Sequence, residues 1–228
     1  MLNSGIKFDD LHYTTSGIDS YGKPFNFILS EREAGKTTAL VASKIYKAYK
    51  ERGRPALILR NQAVDISEAY IMSFEETTNK FLGRELKLSY RRGDISKGIC
   101  LVWDESTGEK KLYAAIAALS APIARLKSIN IGKLSLIMYD EAIVAASMGE
   151  KYPENLAFKV KELYKTFARE VRPEVLKFYA MGNPYSKYHP LLVDWGVPFQ
   201  DMKRGSIITG PNWAVECYEM KQIGRAHV

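Results

Sequence analysis

A chain of 228 residues, 46% hydrophobic and 26% charged, is long enough for one well-buried domain and short for two. Its net charge of +7 favours a polyanionic partner without identifying one, and its two cysteines, Cys100 and Cys217, lie outside any C-x-x-C or histidine cluster, so neither a disulfide framework nor a zinc site is suggested. No apolar run approaches the roughly 18 residues of a membrane span, and the opening "MLNSGIKFDD" has no signal-peptide core, so the expectation is a soluble, intracellular protein with no membrane partner.

Strand-like runs alternate with helical patterns, which predicts an α/β domain with a mainly parallel central sheet flanked by helices. "FNFILS" (25–30) reads as the first strand. Residues 37–52 read as a helix ended by Gly53, with Pro55 as a stop signal just beyond. "ALILR" (56–60) is a second short apolar strand, and residues 65–82 carry an amphipathic helical pattern ended by Gly83. Between Leu86 and Tyr113 the runs "LKLSYRRGD", "GICLVW" and "DESTGEKKLYA" read as a β-hairpin insertion. "KLSLIMYDEA" (133–142) predicts a buried strand with a charged tip, "ENLAFKVKELYKTFAREV" (154–171) a helix, and "EVLKFYAMGNP" (174–184) another buried strand.

The first strand and first helix are joined by "SEREAGKTT" (30–38), which is G-x-x-x-x-G-K-[ST] with Ser30 at the first glycine position. Such a loop works because successive backbone N–H groups, here those of Glu31, Arg32, Glu33, Ala34 and Gly35, point with the helix N-terminus at a nucleotide's β-phosphate. Lys36 then bridges the β- and γ-phosphates, the Thr37 hydroxyl binds Mg²⁺, and Thr38 completes the helix start. Glycine makes the sharp exit from the strand most easily; serine can make it if its φ stays negative. The cofactors this predicts are ATP and Mg²⁺.

A second motif follows the apolar run "LSLIMY". Asp140 is placed to hold the Mg²⁺ water shell, and Glu141 to polarise the attacking water. In a parallel sheet both loops leave from the carboxyl edge, so Lys36 and Asp140 can meet there although they are far apart in sequence. Together the motifs indicate a P-loop NTPase of the ASCE division, with a catalytic glutamate beside the Walker B aspartate.

The ordered run "FILSEREAGKTT", "ALILRN", "AALSAP", "LIMYDEAI" and "LYKTFAREVRPEVLKFYAMGNPYSKYHPLL" resembles the ATPase domain of phage DNA-packaging motors, the large terminase and its relatives, and in particular the packaging ATPases of small short-tailed phages with protein-primed genomes. The resemblance implies a RecA-like fold acting as a homo-oligomeric ring, a pentamer, that drives double-stranded DNA through a phage portal into a procapsid in the host cytoplasm. It also implies roles for single residues. Arg32 matches an arginine within the phosphate loop, and Arg60 one that ends the second strand. Asn183, after Gly182, matches a γ-phosphate sensor, and Arg169 or Arg172 an arginine that reaches a neighbouring subunit's ATP.

Physical readings stand beside these roles. Arg60 and Arg32 would neutralise phosphate charge or tie the loop to the sheet, or they are solvated arginines. "GNP" is also a plain turn signal, and Arg169 also reads as the exposed face of its helix. Tyr21, with Pro24, would contact adenine or belong to the core. "YRRGD" (90–94) and Lys97 are candidates for DNA phosphate contacts or a solvated turn. The expected domain plan is an N-terminal segment (1–24) leading to the nucleotide site, an ATPase domain (25–210), and a linker start (211–221) towards a C-terminal nuclease-like domain. The last residues, "QIGRAHV" (222–228), are the in-frame translation of a common short-read sequencing adapter, so they are expected to be an artefact. A helicase-like or clamp-loader-like ATPase and a non-catalytic nucleotide-binding module are the other classes compatible with these motifs.

Overall fold

The computed structural model describes residues 13–219 apart from 33, 84, 96, 146–148, 173 and 187, so the expected artefact at 222–228 lies outside the described residues. After α1 (Ser16–Asp19) comes β1 (Phe25–Leu29), then a helix in three sections: α2 (Lys36–Ala39), a π-helical stretch (Leu40–Tyr46) and α3 (Lys47–Arg52). Gly53 ends it in the left-handed region at φ 62°, where a side chain would be strained, and Pro55 prevents its resumption. β2 (Ala56–Arg60) is buried throughout, and α4 (Glu68–Leu82) begins where the Ser67 hydroxyl accepts from the Tyr70 N–H. There follow β3 (Leu88–Tyr90), α5 (Arg92–Ile95), β4 (Ile99–Asp104), β5 (Lys111–Ala118), α6 (Ile123–Lys127) and β6 (Leu136–Tyr139). The described elements end with α7 (Leu156–Glu170), β7 (Lys177–Gly182), α8 (Pro190–Asp194), β8 (Ser206–Thr209) and β9 (Trp213–Cys217).

All nine strands form one sheet in the order β3-β4-β5-β2-β6-β7-β1-β9-β8. From β5 to β9 neighbouring strands are parallel; β3, β4 and β8 are antiparallel to theirs. The expected α/β class and mainly parallel sheet are therefore observed. Alternation along each strand sends Phe27, Leu29, Leu57, Leu59 and Ile137 to one face, beneath Leu163 and Phe167 of α7 and Leu191 of α8. Ile28, Ile58 and Met138 face the other way, towards Leu40, Ile45 and Phe74. Burial on both faces explains why these strands are almost continuous apolar runs.

The expected hairpins between 86 and 113 are present as β3, β4 and the start of β5, antiparallel to one another, and they extend the sheet because β5 pairs in parallel with β2 from Ala56↔Ala114 to Arg60↔Ala118. One expectation needs correction. Residues 213–217 are not a linker: β9 pairs in parallel with the phosphate-loop strand β1, from Phe25↔Trp213 to Leu29↔Cys217.

The tip of β7 shows how tightly the carboxyl edge is packed. A Cβ on Gly182 would meet the Ile143 side chain at 2.7 Å, closer than carbon atoms can approach. Gly182→Ala is expected to cost about 1–3 kcal/mol by overpacking. In an Ile143→Ala background that extra cost should fall below about 1 kcal/mol, as read by a double-mutant cycle in denaturant unfolding.

Candidate nucleotide site

β1, β2, β6 and β7 end side by side on the carboxyl edge, and the loop after β1 turns over them. Ser30 is buried and its N–H donates to the Gly182 carbonyl (3.3 Å). Its φ is not positive: among the described residues other than glycine, only Glu141 and Asn155 take positive φ, so serine meets the condition for replacing glycine here. Gly35 caps α2 at φ 79°. The Tyr13 N–H donates to the Ala34 carbonyl (2.8 Å) and fixes the back of the loop. Lys36 Nζ donates to the Ser30 carbonyl (2.9 Å), Ser30 Oγ (2.7 Å), the Glu31 carbonyl (2.9 Å) and Asn183 Oδ1 (3.4 Å). Burial lowers the Lys36 amine to about 8, with the Asp140 charge opposing the shift.

The carboxylates are held from several sides. Asp140 Oδ1 accepts from Thr37 Oγ1 (3.2 Å) and the Glu141 N–H (3.0 Å). Its other oxygen accepts from the Tyr70 hydroxyl (3.0 Å) and lies 3.5 Å from the Arg60 guanidinium. Burial raises the Asp140 carboxyl above its ordinary value; Arg60 and the Tyr70 hydrogen bond pull the other way. Glu141 stands at φ 48°, a strained conformation for a residue with a side chain. Its carboxylate accepts from Arg60 at 2.5 Å and its carbonyl from Asn61 Nδ2 at 2.8 Å. The next residue is gripped on both sides: the Ala142 N–H donates to the Met181 carbonyl (2.7 Å), and the Ala142 carbonyl meets His189 Nε2 (3.1 Å). His189 Nδ1 accepts from the Leu191 N–H at 3.1 Å, so Nε2 carries the proton and donates. Burial lowers this histidine to about 3, and it stays neutral.

A cavity of about 530 Å³ over this edge is lined by Ala34, Gly35, Lys36, Thr37 and Thr38, with Arg32, Arg60, Asp140, Glu141 and Asn183 around the rim. The structure thus brings together the larger part of the expected site. Ser30 contributes through Lys36, and Glu31 through its carbonyl, while the Glu31 side chain pairs with Arg204 at 3.5 Å. Arg32 is exposed, 6.0 Å from the Tyr185 ring. Glu33 lies outside the described residues. A triphosphate at this edge would meet Lys36, Arg32 and the α2 N-terminus. Among the described residues no three His, Cys, Asp or Glu side chains cluster as a metal cage.

Three expected residues are elsewhere. Tyr21 stands at the amino edge, where Lys177 Nζ donates to the Gly22 carbonyl (2.8 Å), a strand length of about 16 Å from the phosphate loop. Helix α7 starts near the carboxyl edge, where Lys159 Nζ meets the Leu119 carbonyl (2.6 Å), and descends to the amino edge, where the Tyr164 hydroxyl donates to the Leu176 carbonyl (2.8 Å). Arg169 and Arg172 are exposed beyond that end, so neither reaches the cavity of its own chain. Tyr90 ends the edge strand β3, and beyond it Arg92 and Lys97 pair with Glu68 (3.4 Å) and Asp94 (3.3 Å). Sequence reasoning missed Asn61, Tyr70 and His189. "ALILRN" and "YHPLL" contain two of them, but neither spacing nor periodicity separates them from ordinary loop residues.

The fold and edge define a P-loop nucleotide-binding domain with a Walker B carboxylate pair. No family model and no curated protein matches the chain. Among solved structures, the fold is similar to the phi28 gp11 DNA packaging motor (TM-score 0.72, 16% identity, 96% of this chain and 62% of that one). It is also similar to the N-terminal domain of the DNA packaging ATPase from bacteriophage phi29 (0.72, 17%, 92% and 97%) and to the phi29 genome packaging motor assembly (0.68, 17%, 90% and 57%). The chain therefore has the fold of the phage packaging ATPases and spans about three fifths of the length of the two longer chains it matches.

A polyphosphate beside Lys36 favours the protonated amine and raises its pKa from about 8. Lys36 is charged below that value and loses its proton above it, so nucleotide binding should take up a proton near pH 8–9 and weaken as pH rises through that window. Calorimetry at pH 8.5 in two buffers of different ionisation enthalpy should register the uptake, and Lys36→Met should abolish it.

Proposed function

We propose that this chain is the ATPase domain of a viral DNA-packaging motor, a Mg²⁺-dependent ATP hydrolase that drives double-stranded DNA into a procapsid. The observation that carries the reading is the convergence of Lys36, Thr37, Asp140, Glu141 and Asn183 on one sheet edge, in a fold shared with phage packaging ATPases. Lys36 and the loop N–H groups bind and orient the phosphates. Thr37 and Asp140 would hold Mg²⁺, which supplies neutralising charge at the β- and γ-phosphates when bound. Glu141 accepts hydrogen bonding from the attacking water; while Arg60 occupies its carboxylate at 2.5 Å it is a weaker base, so turnover requires that pair to lengthen. Asn183, within 3.4 Å of Lys36, reads the γ-phosphate and passes its loss to β7.

Arg169 acts in trans, completing a neighbour's site in a pentameric ring that engages the portal in the host cytoplasm. Steady-state hydrolysis with duplex DNA should rise more than linearly with protein concentration. Glu141→Gln should lose about 10²–10⁴ in turnover and Arg169→Ala about 10³ or more, and mixing the two variants should restore part of it. Turnover that is independent of concentration and unchanged by Arg169→Ala would point instead to a monomeric P-loop enzyme.

A further inference from the structure

Tyr70 lines the cavity and no part of the phosphate chemistry above uses it, yet it touches two members of the Walker B cluster. It lies in the first turn of α4, where its N–H donates to the Ser67 hydroxyl at 3.1 Å. Its ring is braced edge-on by Phe74 (centroids 5.0 Å, interplanar angle 79°), so its direction is fixed by packing. From there the hydroxyl donates to Asp140 Oδ2 at 3.0 Å, and the ring faces the Arg60 guanidinium at 4.4 Å. Arg60 Nε is buried with no hydrogen-bond partner among the described residues, and the ring lies over the guanidinium carbon.

We propose that Tyr70 is a positioning residue with two separable roles: its hydroxyl holds the outer oxygen of Asp140 so that the inner one faces Thr37, and its ring seats Arg60 against Glu141. The first role follows from the geometry of Asp140. With Oδ2 tied to Tyr70, rotation about the carboxylate bond is blocked and Oδ1 stays on Thr37 Oγ1 at 3.2 Å, where the two oxygens would present themselves to Mg²⁺. Groups that orient a metal's ligands from behind contribute about 10–100-fold in metal affinity. The second role follows from the ring's contact with Arg60 at 4.4 Å, which Tyr70→Phe keeps although the hydroxyl also reaches the guanidinium.

The inference rests on the ATPase reading, and one experiment separates the two. A ribose-labelled fluorescent ATP is bound in EDTA and then titrated with Mg²⁺, for the wild type, Tyr70→Phe and Tyr70→Leu. Tyr70→Phe removes one oxygen and leaves the ring on Phe74, so its melting temperature should stay close to wild type. Its Mg²⁺ midpoint should rise about 10–100-fold, with affinity in EDTA unchanged and turnover at saturating Mg²⁺ within about threefold of wild type. Tyr70→Leu should show the same midpoint shift and an additional loss of turnover that saturating Mg²⁺ does not repair. A wild type with no Mg²⁺-dependent nucleotide binding overturns the ATPase reading together with this inference. A wild type that shows it, beside a Tyr70→Phe variant with the same midpoint, overturns the inference alone; so does an equal loss of affinity in EDTA for both variants.

Discussion

The guanidinium of Arg60 is the interaction around which this edge is organised. It is 6% exposed, at the end of a strand buried on both faces, and a buried cation must be paired or it destabilises the fold. Burial works against the charge, while Tyr70, Asp140 and Glu141 restore and exceed what burial removes. Those partners come from α4 and from the loop after β6, so one charge ties β2 to both. The same charge allows two neighbouring carboxylates, Asp140 and Glu141, to remain together at a site that must also receive a polyanion. Removing it would leave the buried Asp140 carboxylate without its cation, a loss of about 3–5 kcal/mol for a broken buried pair.

The strain at Glu141 follows from that arrangement. Asp140 is fixed by Thr37 and by its own N–H on the Leu59 carbonyl (3.1 Å), and Ala142 by Met181 and His189. The chain between two such anchors has little freedom, and φ 48° at Glu141 is the conformation that satisfies both. Because Met181 lies two residues before Asn183, and His189 six after it, the segment that holds Glu141 in place is the one that carries the candidate sensor. A displacement of Asn183 therefore passes along two residues of backbone to Met181 and from there through one hydrogen bond to Ala142, next to Glu141.

Much of this was legible in the sequence, for physical reasons that also mark where legibility stops. "FNFIL", "ALILR" and "LIMY" are apolar on both faces because parallel strands are covered twice, and a loop ending in Gly35-Lys36-Thr37 keeps its ligands contiguous. β9 was missed because "WAVEC" is short and follows a Gly-Pro-Asn turn signal, and α5, α6 and α8, at four or five residues, are too short to show a helical period. Tyr70 and His189 owe their roles to atoms 70 and 47 positions away, Asp140 and Ala142, and no local pattern encodes such a meeting. Tyr70, four residues before Phe74 on α4, reads simply as core.

Arg169, expected to reach a neighbouring subunit's nucleotide, is placed by the direction of its helix. A helix that connects two parallel strands must run back against them, so one that begins near the Walker B loop ends at the opposite edge. Its arginine is thereby removed from its own nucleotide and carried to the face where Arg54 and Glu174 form a bidentate pair at 2.6 and 2.9 Å. For Arg169 to act on a neighbour's nucleotide, the amino edge of one copy must approach the carboxyl edge of another. Two different surfaces then face each other, and such a contact repeated head to tail builds a ring when the rotation closes, as the proposed motor requires.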